Sequence, residues 1–278
     1  MLIKRIITAL IAIPLLIALI TWGGQQLFLI IIMLTAGCAL LEFYNMTLRI
    51  SVFRKMLGLA FGLCLVWCMQ HYHQYLSLDG THYESSLLYL LITLPTLVTF
   101  SILLLQFSVY PRKLMGNAEL PIMLIGILYI CLFLSYLILL HNATAGKRWI
   151  VFLLLVLWCG DSGAYVTGRL LGKHPLSPLV SPKKTIEGAL GCIVLSLCAA
   201  GATQMLFFND LAISHALLLG LGIALAGQLG DLCESTIKRH SGIKDSGTLL
   251  PGHGGMLDRI DSLLFVAPLA YYYKVLIV

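Results

Sequence analysis

One stretch of the chain collects side chains that would be out of place in a merely structural connection. It runs Gly230-Asp-Leu-Cys-Glu-Ser-Thr-Ile-Lys-Arg239, continues as Lys244-Asp245-Ser-Gly247, and ends Pro251-Gly-His-Gly-Gly-Met-Leu-Asp-Arg-Ile-Asp261. If the part up to Arg239 is helical, Asp231, Ser235 and Lys238 fall at i, i+4 and i+7 on one face, with Arg239 beside them. A carboxylate, a hydroxyl and two cations on one stripe suit a metal-bound phosphate: the acid holds Mg²⁺ and the cations hold phosphate oxygens. Gly252, Gly254 and Gly255 around His253 allow backbone to approach a ligand closely. Asp258 and Asp261, three apart in the first turn expected of the next helix, complete a cation site with Asp231. Arg259 between them can hold phosphate bidentately. The plainer reading of any one of these residues is a solvated loop charge or a helix cap. It fails for the cluster as a whole, which a mere connection would not need.

Two further patches lie on the same expected side. In Ser181-Pro-Lys-Lys-Thr-Ile-Glu-Gly188, the cations Lys183 and Lys184 and the hydroxyls Ser181 and Thr185 precede a helix start, a suitable place for phosphate. The glycines of a Walker loop are missing, and a basic anchor at the membrane surface remains the alternative. In Gly160-Asp-Ser-Gly-Ala-Tyr165, Asp161 sits inside or at the end of an apolar run, where an ionisable group is a functional candidate by default. The small residues around it permit close helix packing.

The elements that must position these groups are membrane helices. The 278 residues are 59% hydrophobic and 11% charged, and the mean hydropathy is +0.95. A soluble domain carries about 25% charged residues, so the bilayer is the solvent for most of this chain. Nine apolar segments have the length of a span or nearly so: 6–22, 27–44, 56–72, 86–110, 119–140, 149–168, 188–208, 211–232 and 263–278. The first, behind Lys4 and Arg5, reads as a retained signal anchor, because Thr21-Trp22-Gly23-Gly24 is a poor cleavage site.

With the N-terminus inside, 15 of the 18 Lys and Arg fall on the inner side, which sets an N-in, C-out topology. The net charge of +6 belongs to that bias and not to nucleic acid, since no basic run is interleaved with aromatics. The eight cysteines form no Cys-x-x-Cys pair and read as small packed hydrophobes. His71, His73, His82 and His141 fall on the outer side. The fold class is therefore all-α and polytopic. Residues 1–148 form an N-terminal membrane half of about five spans. Residues 149–278 form a catalytic half of about four, whose inner side holds Asp161, Glu187, Asp231, Glu234, Asp245, Asp258 and Asp261.

At these residues the chain resembles the phosphatidate cytidylyltransferases, or CDP-diacylglycerol synthases, of bacteria. The run Ser235-x-Ile-Lys-Arg, Lys244-Asp245-x-Gly247 and Pro251-x-His-Gly-Gly-x-x-Asp-Arg-Ile-Asp261 is similar to the family signature, as are the stretches at 160–165 and 181–188. The resemblance covers about 158–262 and is generic before residue 150. It implies that CTP and phosphatidate give CDP-diacylglycerol and diphosphate, with Mg²⁺ and a monovalent cation such as K⁺ beside it. It also implies a multi-pass protein of the bacterial inner membrane, a homodimer, with the site facing the cytoplasm. Asp231 and Asp258 correspond to the family's metal carboxylates, with Asp261 close by. Ser235, Lys238 and Arg239 correspond to polar residues near the cations and phosphates. The expected catalytic set is Asp231, Lys238, Arg239, Asp258, Arg259 and Asp261. The expected substrate contacts are Asp161, Ser181, Lys183, Lys184, Thr185, Ser235, Lys244, Asp245 and His253.

Three rival readings fit less well. A CTP-using polyprenol or dolichol kinase would share the architecture but move a γ-phosphate, and the detailed match at 235–261 argues against it. The Asp-Gly-x-x-Ala-Arg core of a CDP-alcohol phosphotransferase is absent. A transporter would route ions past Asp161 and Asp231, but the expected inverted repeats are missing and the His253 loop would have no purpose.

Overall fold

A computed structural model describes residues 14–48, 51–78, 119–247 and 254–278, with side-chain surroundings left aside for 72–78. The expected span at 86–110, most of the one at 6–22, and His253 lie outside the described residues. Helical residues 14–22 lead into α1, Gln25–Thr47. There follow α2, Val52–Leu78; α3, Glu119–Asn142; α4, Gly146–Leu171; a hairpin of β1, Pro175–Ser177, and β2, Ser181–Thr185; α5, Ile186–Phe207; α6, Ile213–His240; and α7, Leu257–Leu276. Six of these helices, α1 to α6, are long and apolar enough to cross a membrane. The mostly helical, multi-pass expectation therefore stands.

A short hairpin adds to the helical architecture. Its strands pair antiparallel, with Pro175 opposite Thr185 and Ser177 opposite Ser181. Pro, Ser and Lys dominate both strands, so no hydrophobic alternation announces them. Thr185 ends the hairpin and starts α5: its Oγ1 accepts from Gly188 N at 3.1 Å, which meets the expected helix start. α6 runs unbroken through Arg239, as its stripe requires.

α3 is the central helix. It contains a π-turn at Ile127–Leu132. Tyr129, Phe133 and Phe265 of α7 meet edge to face with centroids 5.9–6.3 Å apart. Buried Leu137, Ile138 and Leu139 continue this core. On the outside, Ile30 and Leu34 of α1, Leu190 and Val194 of α5, and Leu218 and Leu225 of α6 point away from the protein. Such apolar rows are costly in water and natural against lipid.

The helices that bear the polar residues pack through glycine. A Cβ on Gly163 would stand 2.5 Å from the Gly191 carbonyl oxygen, and one on Gly160 would stand 2.3 Å from Ser196 Oγ. α4 and α5 thus approach backbone to backbone beside Asp161, as its small neighbours imply. A Cβ on Gly230 would stand 2.5 Å from the Asp261 carbonyl oxygen. That contact brings α6 against α7 at the level of Asp231 and Asp261.

Candidate active site

At one end of the bundle, α4, α5, α6 and the hairpin enclose a cleft of about 430 Å³. Asp161 enters it from α4, Lys183 and Lys184 from β2, Thr185 from the start of α5, and Asp231 from α6, while Ser262 closes the side nearest α7. Lys184 Nζ lies 2.5 Å from Asp231 Oδ2. The pair joins opposite charges at the cleft wall. Asp161 and Asp261 both sense the charges of Asp231 and Lys184, and Asp261 also senses Asp161. Asp161 and Asp231 thus face the cleft from two helices, with Lys184 paired to Asp231. Asp261 accepts from Ser262 N at 2.6 Å, which turns its carboxylate along the start of α7. Ser235 Oγ stands 3.5 Å from Asp231 Oδ1, at the outer limit of a hydrogen bond.

Asp258 belongs to a second cluster, and the expected trio of Asp231, Asp258 and Asp261 divides there. Asp258 Oδ1 accepts from Lys238 Nζ at 2.6 Å, and its Oδ2 accepts from Gly255 N at 2.8 Å and Ser246 N at 3.0 Å. Lys238 also pairs with Glu234, whose side chain is fully buried. Lys238 thus stands between two acids, Glu234 and Asp258. Among the described residues, no three acidic, histidine or cysteine side chains form a ready metal cage. The carboxylates nearest to one are those gathered around Lys184.

The remaining expected residues fall outside the cleft wall. Arg239 donates from Nε to the Val180 carbonyl at 3.2 Å and from a terminal nitrogen to the Ile243 carbonyl at 3.1 Å. It ties the hairpin turn to the end of α6. Ser181 is half-buried at the start of β2, Lys244 and Asp245 are exposed just after α6, and Arg259 is exposed on the first turn of α7.

Four residues escaped the sequence reading as site residues. Arg169 and Tyr165 line the cleft and bond to each other at 3.0 Å. Their i, i+4, i+8 spacing from Asp161 could have disclosed them. Gln228, one turn before Asp231, also lines the cleft and donates to the Ala224 carbonyl at 3.1 Å. Glu42 reaches this end of the molecule from α1. An acid within the apolar run 27–44 should have raised attention on its own.

The cleft thus combines an acidic floor with cations from Lys183, Lys184 and Arg169, an arrangement suited to phosphates carrying a metal ion. The model of the cytidylyltransferase family matches residues 3–277. Phosphatidate cytidylyltransferases of Staphylococcus epidermidis and Staphylococcus haemolyticus are 38% identical to this chain over 267 residues, covering 95% of it and 96% of each of them. The Staphylococcus aureus protein of the same name is 35% identical over the same share. With nearly its whole length matched, the chain belongs to the cytidylyltransferase family.

Proposed function

We propose that the chain transfers a cytidylyl group from CTP to phosphatidate, giving CDP-diacylglycerol and diphosphate. The observation that carries this reading is the meeting of Asp161 and Asp231 with Lys183, Lys184 and Arg169 at one cleft of a multi-pass chain whose relatives bear that name. An oxygen of the phosphatidate phosphate attacks the α-phosphorus of CTP, a new P–O bond forms, and the bond to the β-phosphate breaks. The attacking oxygen is already anionic, so no serine or cysteine nucleophile is required. The work of the protein is to bring two polyanions together in line and to stabilise the charge that develops.

Lys183 and Arg169, exposed at the rim of the cleft, offset repulsion between the substrates. Lys184 is close enough to follow the phosphates once they enter. Asp231 and Asp261, with Asp161 facing them, are the residues that would hold Mg²⁺, with a monovalent cation such as K⁺ beside it. The Lys184 ammonium beside Asp231 supports a cation at that place. When bound, the metal neutralises phosphate oxygens and draws electron density from the α-phosphorus. Asp258 and Lys238, occupied with each other, secure the start of α7 and do not touch phosphate.

The fuller topology belongs to the same reading: nine spans, N-in and C-out, in a bacterial inner membrane, with the catalytic half at 149–278 and a homodimer as the assembled form. The bias of Lys and Arg to one side supports a cleft facing the cytoplasm. CTP does not cross a bilayer, which allows orientation and reaction to be tested together. In sealed inverted membrane vesicles, external CTP should be converted to CDP-lipid with endogenous phosphatidate. Right-side-out vesicles should give less than about a tenth of that rate until they are permeabilised. Equal rates in the two sealed preparations would contradict the orientation, and no CDP-lipid in either, before or after permeabilisation, would contradict the reaction.

A further inference from the structure

We propose that Glu42, from the N-terminal half of the chain, is a positioning residue for the cleft. Its carboxylate fixes where α7 begins and therefore where Asp261 stands opposite Asp231. The proposal rests on the reaction assigned above.

Glu42 Oε1 accepts from Met256 N at 2.9 Å, and Oε2 accepts from Leu257 N at 2.9 Å and from Ser246 Oγ at 3.0 Å. The first N–H groups of a helix have no partners within it, and α7 receives no side-chain cap from its own capping residue Met256. Glu42, more than two hundred residues earlier in the chain, supplies that cap. A carboxylate at this end also opposes the positive pole of the helix.

The loop is shaped around this carboxylate. A Cβ on Gly255 would stand 2.4 Å from Glu42 Oε2 and 2.1 Å from Ser246 Oγ, and one on Gly247 would stand 2.6 Å from Glu42 Oε1. A side chain on Gly255 would also meet the Gly247 backbone nitrogen at 2.7 Å, and one on Gly247 would push the Glu42 carboxylate off its partners. The opposite side of the same loop is gathered by Asp258 through the Ser246 and Gly255 amides. Two carboxylates, one from each half of the chain, thus grip the ends of the connection between α6 and α7. Asp261 lies one turn beyond Leu257, so a shift of the helix start carries it along. Displacing a catalytic group by about 1 Å can cost about a hundredfold in rate.

Glu42→Gln tests this, because its amide keeps the size but sets an N–H₂ against donors. Turnover should fall about 10- to 100-fold, with the KM for CTP changing by less than about threefold and with folded, monodisperse protein recovered in normal yield. Ser246→Ala, which removes one of the three bonds, should have a smaller effect. In the double variant the two effects should be non-additive, because both act through one hydrogen-bonded unit. Independently of activity, hydrogen exchange followed through overlapping peptides should quicken at the 256 and 257 amides by about tenfold or more, with α5 unchanged. Wild-type turnover in Glu42→Gln, a loss matched by an equal loss of folded protein, or unchanged exchange at 256–257 would each overturn the proposal. If the unaltered protein makes no CDP-lipid while these amides still respond, the assigned reaction fails and Glu42 keeps its place as the cap of α7.

Discussion

Asp231→Ala should lower turnover by about a thousandfold or more while the protein still inserts and folds. Asp231 is the acid on which the cleft converges: Lys184 lies against it, Ser235 stands beside it, and Asp161 and Asp261 both feel its charge. Groups that stabilise charge in a water-poor site each contribute about 10²–10³ in rate. An acid that also holds the metal combines that contribution with metal binding. Folding should suffer little, because the Asp231 and Lys184 side chains are 40% and 26% exposed and water can replace the lost partner. The check is steady-state cytidylyl transfer in detergent or nanodiscs, alongside thermal unfolding of the same preparation. Asp231→Asn separates charge from shape and should be nearly as inactive. Turnover within tenfold of the unaltered protein would remove Asp231 from the chemistry.

The second large effect is on stability. Lys238→Met should destabilise the fold by about 3–5 kcal/mol, the usual consequence of leaving a buried charge without its partner. Lys238 is 12% exposed and stands between Glu234, at 0%, and Asp258, at 11%. Methionine fills the space of the stem but offers nothing to either acid. The melting temperature should fall by about 5–9 °C. Adding Asp258→Asn, which removes the other partner's charge, should recover part of that loss. A Lys238→Met protein that melts normally and lacks only activity would mean that this ammonium serves phosphate directly, as its place on the Asp231 stripe first implies.

These two predictions also mark where the sequence was legible. The helical stripe that places Asp231 and Ser235 together is local, and α6 keeps it through Arg239. Thr185 as a helix start and the close packing around Asp161 are local too, and both are present in the structure. What could not be read was which of several nearby acids share a space. Asp258 and Asp261 are three residues apart, yet one turns to Lys238 and the loop amides and the other to the Ser262 amide. That choice depends on the Gly230 crossing and on where α7 begins, both contacts between distant segments. Lys184 reaches Asp231 only because a short hairpin folds back over the cleft, and its Pro-, Ser- and Lys-rich strands carry no periodic signal. Glu42 lay in the half that looked generic, and its importance becomes visible only through its partners at 246, 256 and 257.

The central claim is that the cleft moves the α-phosphate of CTP, with its cytidine, onto a lipid phosphate. The most direct measurement follows two labels in parallel with purified protein, phosphatidate and Mg²⁺, one on the α-phosphate of CTP and the other on the γ-phosphate. α-Label should appear in a CDP-lipid and γ-label in free diphosphate, in equal amounts. Label from the γ-phosphate in the lipid, with CDP left in solution, would contradict it and identify a lipid kinase instead.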